Sequence, residues 1–239
     1  MPSDSLSLSL PFSSSSDRLS FLSGVALFAG LAEGPLRRLA ATSQVRRVTK
    51  GQLLFSQGEP GDTVYVVAAG SIAIVLATSD GRELVINEMR AGDFFGELAL
   101  FHGQTHTANA VSGAASVILC LPRAAFLAEL DAQPLLLRRL LDTFAQRLRA
   151  SSEREGALAF MTAPARLARL LLQSVSPDGL TGPLVTISQE EIAQRVGVTR
   201  QTVAKVLGGW RRAGWIITGR GRIMLVDRAA LRRLTRAEG

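Results

Sequence analysis

The stretch Ile187-Ser-Gln-Glu-Glu-Ile-Ala-Gln-Arg-Val-Gly-Val-Thr-Arg-Gln-Thr-Val-Ala-Lys-Val-Leu207 has the pattern of two short helices on either side of a glycine. Ser188 can cap the first helix, and Glu191, three residues later, can reach back to complete a capping box. Gly197 can adopt the left-handed conformation that turns the chain sharply. Thr199 can then cap a second helix directly after the turn. The stretch therefore predicts a helix-turn-helix.

The second helix separates apolar from polar side chains. Its apolar residues recur at three- and four-residue spacing and are Val203, Val206, Leu207 and Trp210. Arg200, Gln201 and Lys205 are left outside near the helix start, which is the part that a helix in the major groove presents to base edges. Arginine can bind guanine through two hydrogen bonds, and glutamine can bind adenine in the same way. Taken alone, the motif also fits an ordinary solvated helix face.

The residues that follow strengthen the DNA-binding interpretation. Two apolar runs within Trp215–Val226 are joined by the basic, glycine-containing segment Thr218–Arg222, which predicts a β-hairpin. A helix-turn-helix followed by such a hairpin is a winged helix. The region from residue 164 to 239 holds 13 lysine and arginine residues against 5 aspartate and glutamate, whereas residues 1–163 hold 14 against 15. The positive charge therefore accompanies the predicted winged helix and favours a polyanionic partner.

Composition limits the class of protein. The chain has 239 residues, 47% of them hydrophobic, and a formal charge of +7, which is enough for two domains with separate cores. No run of about 18 uncharged apolar residues predicts a membrane span, and Cys120 is the single cysteine. We therefore expect a soluble, cytoplasmic protein that has no membrane partner. Residues 1–18 are serine-rich and lack a basic start, so we predict a disordered tail rather than a targeting segment.

The region from Val45 to Leu121 has a different pattern, in which short apolar runs alternate with turns. The predicted strands are Gln52–Phe55, Thr63–Ala68, Ser71–Ala77, Glu83–Met89, Ala108–Val111 and Ser116–Leu121. This pattern predicts an antiparallel β-roll of the double-sheet jelly-roll type. Ahead of it, the segment Asp17–Thr42 predicts short helices that are broken at Gly24, Gly30 and Gly34-Pro35.

After the roll, a long helix is predicted from Pro134 to about Phe160. The residues near its apolar stripe are Leu137, Leu140, Leu141, Phe144, Leu148, Ser151, Ser152, Glu155 and Leu158. About 25 helical residues span nearly 40 Å, which is longer than a small roll can cover, so we predict dimerisation through this helix. Packing of the helix on its own domain is the alternative. Thr162-Ala-Pro164 should end the helix, which places a hinge at residues 160–164.

The predicted organisation is thus α+β, with four parts. They are a tail at residues 1–18, an effector-sensing β-roll at 19–131, a dimerisation helix at 132–161 and a winged helix-turn-helix at 162–239. No pair of carboxylates, Ser/His/Asp arrangement or metal-ligand spacing predicts an enzyme or a metal site.

Four motifs resemble those of the cyclic-AMP receptor protein and fumarate-nitrate reductase regulator family (CRP/FNR) of bacterial transcription regulators. They are Gly58-Glu-Pro-Gly-Asp62, Gly96-Glu-Leu-Ala-Leu-Phe101, Ala157-Leu-Ala-Phe160 and Thr199-Arg-Gln-Thr-Val-Ala-Lys205. The resemblance covers nearly the whole chain after residue 18. It implies an effector-gated homodimer that binds a palindromic double-stranded DNA operator and works with RNA polymerase. It also implies a cyclic-nucleotide-binding-like fold for the roll.

The resemblance assigns residues to two sites. The DNA-binding residues that it implies are Ser188, Gln189, Thr199, Arg200, Gln201, Thr202, Lys205, Arg220 and Arg222. The effector-binding residues that it implies are Gly96, Glu97, Leu98, His106, Thr107, Ala108, Ser151 and Ser152. In the cyclic-AMP branch, the glutamate binds the ribose hydroxyl and two hydroxyl residues bind the purine. Glu97, Ser151 and Ser152 match those positions.

The chain departs from the cyclic-AMP branch at the phosphate, because His106 stands where that branch has arginine. Arginine is always charged and binds phosphate through two bonds, whereas histidine is mostly neutral at pH 7, so we expect weaker binding of an anionic ligand. The iron–sulfur branch needs several cysteines and fits this chain less well. A haem-based gas sensor with His102 and His106 as axial ligands is one alternative. A regulatory module that binds a cyclic nucleotide and controls a partner protein rather than DNA is the other.

Overall fold

The structure is a computed structural model that describes residue 12 and residues 14–77, 83–101, 105–175, 183–219 and 221–236. The chain divides into two compact units. The first, called the roll unit, comprises residues 1–77 and 86–147. The second, called the winged unit, comprises residues 78–85 and 148–239. Within the described residues, no helix is both long and apolar enough to cross a membrane.

The roll unit begins with helix α1, Ser15–Ser23. Ser14 caps it through a capping box, because its hydroxyl accepts from the Asp17 backbone and the Asp17 carboxylate accepts from the Ser14 backbone. The predicted disordered tail, residues 1–18, was therefore too long, because α1 already begins at Ser15. The serine-rich composition suggested disorder, but Ser14 and Asp17 satisfy the free N–H groups that would otherwise disfavour a helix here.

A short 3₁₀ helix, Ala26–Phe28, and helix α2, Glu33–Thr42, follow. The predicted breaks at Gly24 and Gly30 are confirmed, since Gly24 ends α1 and Gly30 has a φ of 82° after the 3₁₀ helix. The predicted break at Gly34-Pro35 is wrong. Both residues lie in the first turn of α2, where backbone N–H groups have no helical acceptor and proline is tolerated.

Eight strands build the roll, all paired antiparallel where their register is described. They are β1 Gln44–Val48, β2 Leu53–Phe55, β3 Thr63–Ala69, β4 Ser71–Ala77, β5 Glu83–Arg90, β6 Phe94–Phe95, β7 Asn109–Ser112 and β8 Ser116–Pro122. One sheet has the order β1-β8-β3-β6 and the other β2-β7-β4-β5. In the first, Tyr65 lies opposite Cys120, and in the second, Ala73 lies opposite Val111. The predicted double-sheet roll is confirmed.

Alternation along these strands places one set of apolar side chains inside the roll. This interior draws on all eight strands, through Val48, Leu54, Phe55, Val67, Ile72, Met89, Phe95, Ala110 and Ile118. A second core lies where helices pack on the outer face of β3 and β8, and its largest buried members include Phe126. Phe126 belongs to helix α3, Arg123–Ala132. Each such buried side chain stabilises the fold by roughly 1.5–3 kcal/mol.

Helix α4, Pro134–Phe160, has two apolar faces rather than one. Leu136 and Leu140 are fully buried in the helix-packed core of the roll unit. Leu137 and Leu141 are 44% and 56% exposed on the neighbouring face. The predicted single stripe was therefore wrong in including Leu140. Its burial fixes the start of the helix to the roll and leaves a separate leucine face open.

The winged unit contains helix α5 Ala163–Gln173, strand β9 Leu184–Thr186, helices α6 Gln189–Val196 and α7 Arg200–Arg212, strands β10 Ile216–Gly219 and β11 Arg222–Leu225, and helix α8 Arg228–Arg236. The helix-turn-helix and the hairpin are confirmed. Strand β9, which pairs with β11, and helix α8 were not predicted. Thr162 is the N-cap residue of α5 and Pro164 lies in its first turn, as expected for a chain break there.

Candidate nucleic-acid interface and effector site

The turn between α6 and α7 is built from local hydrogen bonds. The Ser188 hydroxyl accepts from the Glu191 N–H at 3.1 Å and caps α6. The carboxylate of Glu191 binds Arg195 at 2.8 Å, so no reciprocal bond to Ser188 forms, and the predicted capping box is only half correct. Gly197 has a φ of 71°, and its N–H donates to the Ala193 carbonyl at 2.9 Å. The left-handed turn predicted at Gly197 is confirmed.

Helix α7 presents its polar side chains outward because its other side is held in a core. The Thr199 hydroxyl accepts from the Thr202 N–H at 3.1 Å, which fixes the start of the helix. Val203, Leu207 and Trp210 are buried in the core of the winged unit. Arg200, Gln201 and Lys205 are exposed on the opposite side. The predicted outward position of these three residues is confirmed, and their role in base contact stays a prediction.

A groove of about 410 Å³ lies between the starts of the two helices and the hairpin. Its polar lining includes Ser188 and Gln189 at the start of α6, Arg200 at the start of α7, and Arg222 on β11. The Glu190 carboxylate also lines the groove, and it offsets one of the two guanidinium charges. The two helix N-termini and the remaining positive charge still favour an anion such as a backbone phosphate. The fold thus brings together four residues that are up to 34 positions apart in the chain. Arg220, which was also predicted to contact DNA, lies outside the described residues.

In the roll unit, Gly96 occupies a position that only glycine fits. Its φ is 84°, and a Cβ there would lie 2.8 Å from Cδ2 of Tyr65 and 3.0 Å from the Thr63 carbonyl oxygen. The next residue, Glu97, begins a 3₁₀ helix that ends at Leu100. The glycine therefore lets the backbone cross closely over β3 and directs the Glu97 side chain into the protein, where only 2% of the residue is exposed.

Glu97 is held by an arginine that the sequence did not single out. Nη1 of Arg147, on α4, lies 2.7 Å from Oε1 of Glu97. The same guanidinium donates to the Phe94 carbonyl and lies 4.6 Å from the centre of the Phe94 ring. Oε2 of Glu97 is buried and has no hydrogen-bond partner. Burial raises the pKa of Glu97, and the charge of Arg147 opposes that rise.

The side chain of His106 is buried and is not accessible at the protein surface. It is 5% exposed, and its ring stacks on Phe55 with the ring centres 3.5 Å apart. Its backbone is bound on both sides, because its carbonyl accepts from Gly58 and its N–H donates to the Glu59 carbonyl. Burial lowers the pKa of His106, and the charges of Glu59 and Asp62 oppose that shift, so the imidazole is neutral near pH 7.

The other predicted effector residues are dispersed. Leu98 is 50% exposed, Thr107 is exposed and Ala108 is buried. Ser151 and Ser152 lie on the part of α4 that belongs to the winged unit, and the Ser151 hydroxyl donates to Glu155 at 3.2 Å. A pocket that combines these serines with the roll stays a prediction. His102, named for the haem alternative, lies outside the described residues.

Comparisons with known proteins identify the domain families of the roll and of the winged helix-turn-helix. Residues 45–133 match the family of cyclic nucleotide-binding domains, and residues 165–234 match the Crp-like helix-turn-helix domain. A CRP-like cAMP-activated global transcriptional regulator of Mycobacterium tuberculosis is 34% identical over 217 residues, which are 87% of this chain and 97% of that protein. The chain belongs to the CRP/FNR family of transcription regulators.

Other members of the CRP/FNR family are also similar to this chain in sequence or in structure. The cAMP-activated global transcriptional regulator CRP of Salmonella typhimurium is 35% identical over 159 residues, which cover 64% of this chain and 76% of that protein. A CRP-family regulator of Thermus thermophilus superposes with a TM-score of 0.68 at 31% identity, over 80% of this chain and 96% of that one. The c-di-GMP responsive global regulator CLP of Xanthomonas campestris superposes with a TM-score of 0.74 at 25% identity, over 81% of this chain and 99% of that one.

The family assignment settles the class of function. This CRP/FNR chain is a DNA-binding transcription regulator with a cyclic-nucleotide-binding-like domain, and the relatives named above are transcription regulators, not enzymes. The two matched regions lie on the roll and on the winged helix-turn-helix, and the whole of α4 lies between them.

Proposed function

We propose that this protein is a cytoplasmic homodimer that binds a palindromic operator through its two copies of α7 and changes its DNA affinity when a cyclic nucleotide binds the roll. The observation that carries the proposal is the groove at which Ser188, Gln189, Arg200 and Arg222 meet beside the exposed polar face of α7. RNA polymerase is the partner that such a regulator implies.

Within this proposal, the residues of α7 divide into two roles. Arg200, Gln201 and Lys205 reach base edges in the major groove, because they are exposed and the helix start is the part that enters the groove. Thr199 and Thr202 bind phosphates from the same turn, together with Ser188, Gln189 and Arg222 of the groove. Arg220 adds a further phosphate contact from the segment between β10 and β11. A regulatory module without DNA would leave this concentration of exposed cations unexplained.

The dimer contact is proposed for the exposed leucine face of α4. Leu137, Leu141 and Leu148 are 44%, 56% and 69% exposed, and they are spaced by four and seven residues, as in a coiled coil. Large exposed leucines in a row cost solvation free energy unless a partner covers them. In the proposed dimer, the two copies of α7 lie about 34 Å apart so that they match successive turns of a palindromic operator.

A cyclic nucleotide is the proposed effector, with Glu97 as its anchor. The orphaned, buried Oε2 of Glu97 can accept a hydrogen bond from a hydroxyl such as that of a ribose. The relatives' names point to cAMP for two proteins and to c-di-GMP for a third. The His106 imidazole is neutral and stacked on Phe55, so it would bind a cyclic phosphate more weakly than an arginine side chain would. No observation in the described part of the chain favours haem.

Two experiments test the proposal. DNA binding is measured by titrating selected operator and scrambled duplexes at several salt concentrations, and a steep salt slope with preference for the operator is expected. Effector binding is measured by calorimetry with cAMP and with c-di-GMP, for the wild type and for His106→Arg. A gain in cAMP affinity in His106→Arg supports the proposed pocket. An absence of binding in both proteins, with the fold intact, would assign gating to another ligand.

A further inference from the structure

The stack between His106 and Phe55 closes one face of the imidazole. The centres of the two rings are 3.5 Å apart, and the planes of the rings differ by 9°. This separation is about the contact distance between two carbon atoms, so the rings lie face to face with almost no lateral offset. Both residues are buried. A ligand group therefore has no space between the two rings.

A glycine closes a second side of the same imidazole. A Cβ atom at Gly61 would lie 2.9 Å from Cε1 and 3.0 Å from Nε2 of His106, and 2.4 Å from Cβ of Ala99. A side chain does not fit at these distances, so Gly61 lets the loop lie directly against the Cε1–Nε2 side of the ring. Two backbone hydrogen bonds of 2.8 Å, from His106 to Glu59 and from Gly58 to His106, fix the loop to this residue.

The enclosure of His106 matters because this residue stands at the position that the family resemblance assigns to the effector phosphate. A phosphate must come within about 3 Å of a ring nitrogen to accept a hydrogen bond from it. His106 is almost inaccessible to water, and a phosphate group is larger than a water molecule. Placing an anion against the apolar ring of Phe55 would also cost free energy. The observed stack and a phosphate bound to His106 therefore exclude one another.

Phe55 is the neighbour of His106 that can move most easily. It lies on β2, an edge strand of its sheet, and the register of β2 against β7 shifts between Leu53 and Phe55. Such irregularities redirect a side chain and locally disrupt the ladder of hydrogen bonds. The loop at Gly61 is held by backbone hydrogen bonds, whereas Phe55 can leave the imidazole by rotation of its side chain. Rotation of Phe55 is therefore the smaller rearrangement that opens His106.

The ring of Phe55 also packs near the segment that carries Glu97. Its centre lies 5.4 Å from the centre of the Tyr65 ring, and Tyr65 stacks on Phe95 at 5.1 Å. Gly96, at which a Cβ would lie 2.8 Å from Cδ2 of Tyr65, directly precedes Glu97. One aromatic cluster thus joins the two ends of the proposed effector site, and a displaced Phe55 changes the packing beneath the Glu97 segment.

We propose that Phe55 is a positioning residue that controls effector affinity, because its ring withholds His106 until a ligand displaces it. The inference rests on cyclic-nucleotide binding by the roll, as proposed above. The stacked and displaced positions of Phe55 form a two-state equilibrium, and a cyclic nucleotide whose phosphate binds His106 selects the displaced position. The apparent affinity of this ligand equals its intrinsic affinity multiplied by the fraction of molecules in which Phe55 is displaced.

Proton NMR of labelled histidine tests the stack, since the chain has two histidines, His102 and His106. A proton above the face of an aromatic ring is shifted upfield, so the Cε1 proton of His106 should lie upfield in the wild type and move downfield in Phe55→Leu. His106→Gln assigns the signal by removing it. Titration with cAMP should move the wild-type signal towards its position in Phe55→Leu. A wild-type signal without an upfield shift, or one that bound cAMP leaves unchanged, would overturn the proposal.

Calorimetry with cAMP measures the effect on affinity. Phe55→Leu should bind cAMP on the order of tenfold more tightly than the wild type. Phe126→Leu is the matched control, because it makes the same change in the helix-packed core, and it should show no gain. The gain should also be absent when Phe55→Leu is combined with His106→Gln, since Phe55 acts through His106. Thermal melting checks every fold, and Phe55→Met takes the place of the leucine variant if that variant does not fold.

The outcomes separate the role of Phe55 from the function on which it rests. If the wild type binds cAMP and Phe55→Leu shows no gain over Phe126→Leu, the role of Phe55 is overturned while cAMP binding is supported. A gain that persists together with His106→Gln also overturns it, because Phe55 would then act without His106. If neither the wild type nor Phe55→Leu binds cAMP or c-di-GMP while both are folded, cyclic-nucleotide binding and the role of Phe55 are both refuted.

Discussion

Arg147 of α4 binds the buried carboxylate of Glu97 at 2.7 Å, across 50 residues of sequence. The pair links the long helix to the segment proposed to hold the effector. Glu97 is 2% exposed and the Arg147 side chain 25% exposed, so water screens the pair only weakly. The contact is thus both a structural tie and part of the candidate effector site.

Replacing Arg147 with Met should destabilise the roll unit by about 3 kcal/mol, because Glu97 would then be buried without its partner. Urea denaturation at pH 7 measures the change. Since burial already raises the pKa of Glu97, the variant should regain stability as the pH falls towards 4.5 and the carboxyl group becomes neutral. In the double variant with Glu97→Gln, most of the loss should be recovered. A loss that persisted in the double variant would mean that Arg147 acts mainly through Phe94.

The burial of His106 predicts a stability change with pH. Its folded-state pKa lies below the ordinary value of 6.5, so its contribution to stability is complete above pH 6.5 and is lost as the pH falls through the folded-state pKa. Thermal denaturation between pH 7.5 and pH 5 should therefore show falling stability in the wild type, by about 1.4 kcal/mol for each pH unit over which only the unfolded chain takes the proton. His106→Gln should lack this component. An unchanged pH profile in that variant would assign the effect to other groups.

The exposed leucines of α4 predict the oligomeric state. Leu141→Asp/Leu148→Asp should give folded monomers with much weaker operator binding, since both side chains are more than half exposed and contribute little to the fold of one chain. Sedimentation velocity measures the mass. Leu53→Asp is the matched control, because Leu53 is 48% exposed on β2 and should not affect assembly. A dimeric double variant would contradict the contact proposed for α4.

Arginines at the two sides of the groove should differ in what they recognise. Arg200→Ala should cost roughly 1–3 kcal/mol per half-site on the preferred operator and relax the preference at one base pair. Arg222→Ala, on β11, should weaken the operator and a scrambled duplex about equally and lower the salt slope by about one for each phosphate that is no longer bound. Titration of both duplexes over a range of salt concentrations separates the two effects. Equal weakening of both duplexes in Arg200→Ala would place Arg200 on a phosphate.

The parts of the fold that depend on neighbouring residues could be predicted from the sequence alone. The turn at Gly197, the cap at Thr199 and the alternating strands of the roll follow from backbone dihedrals, hydrogen bonds and periodicity within a few residues. The separation of exposed from buried residues on α7 followed in the same way. Local reasoning was not always sufficient. Ser188 and Arg195 are both close to Glu191 in the sequence, and the Glu191 carboxylate binds Arg195 rather than the Ser188 backbone.

The meeting of distant groups depends instead on tertiary packing. Periodicity placed Leu137 and Leu140 near one stripe, but the position of the roll buries Leu140 and leaves Leu137 exposed. The pairing of Arg147 with Glu97 and the stacking of His106 on Phe55 likewise join segments about 50 residues apart. Their energies depend on distance and on removal from water, which are set by how whole elements pack. No local pattern carries that information.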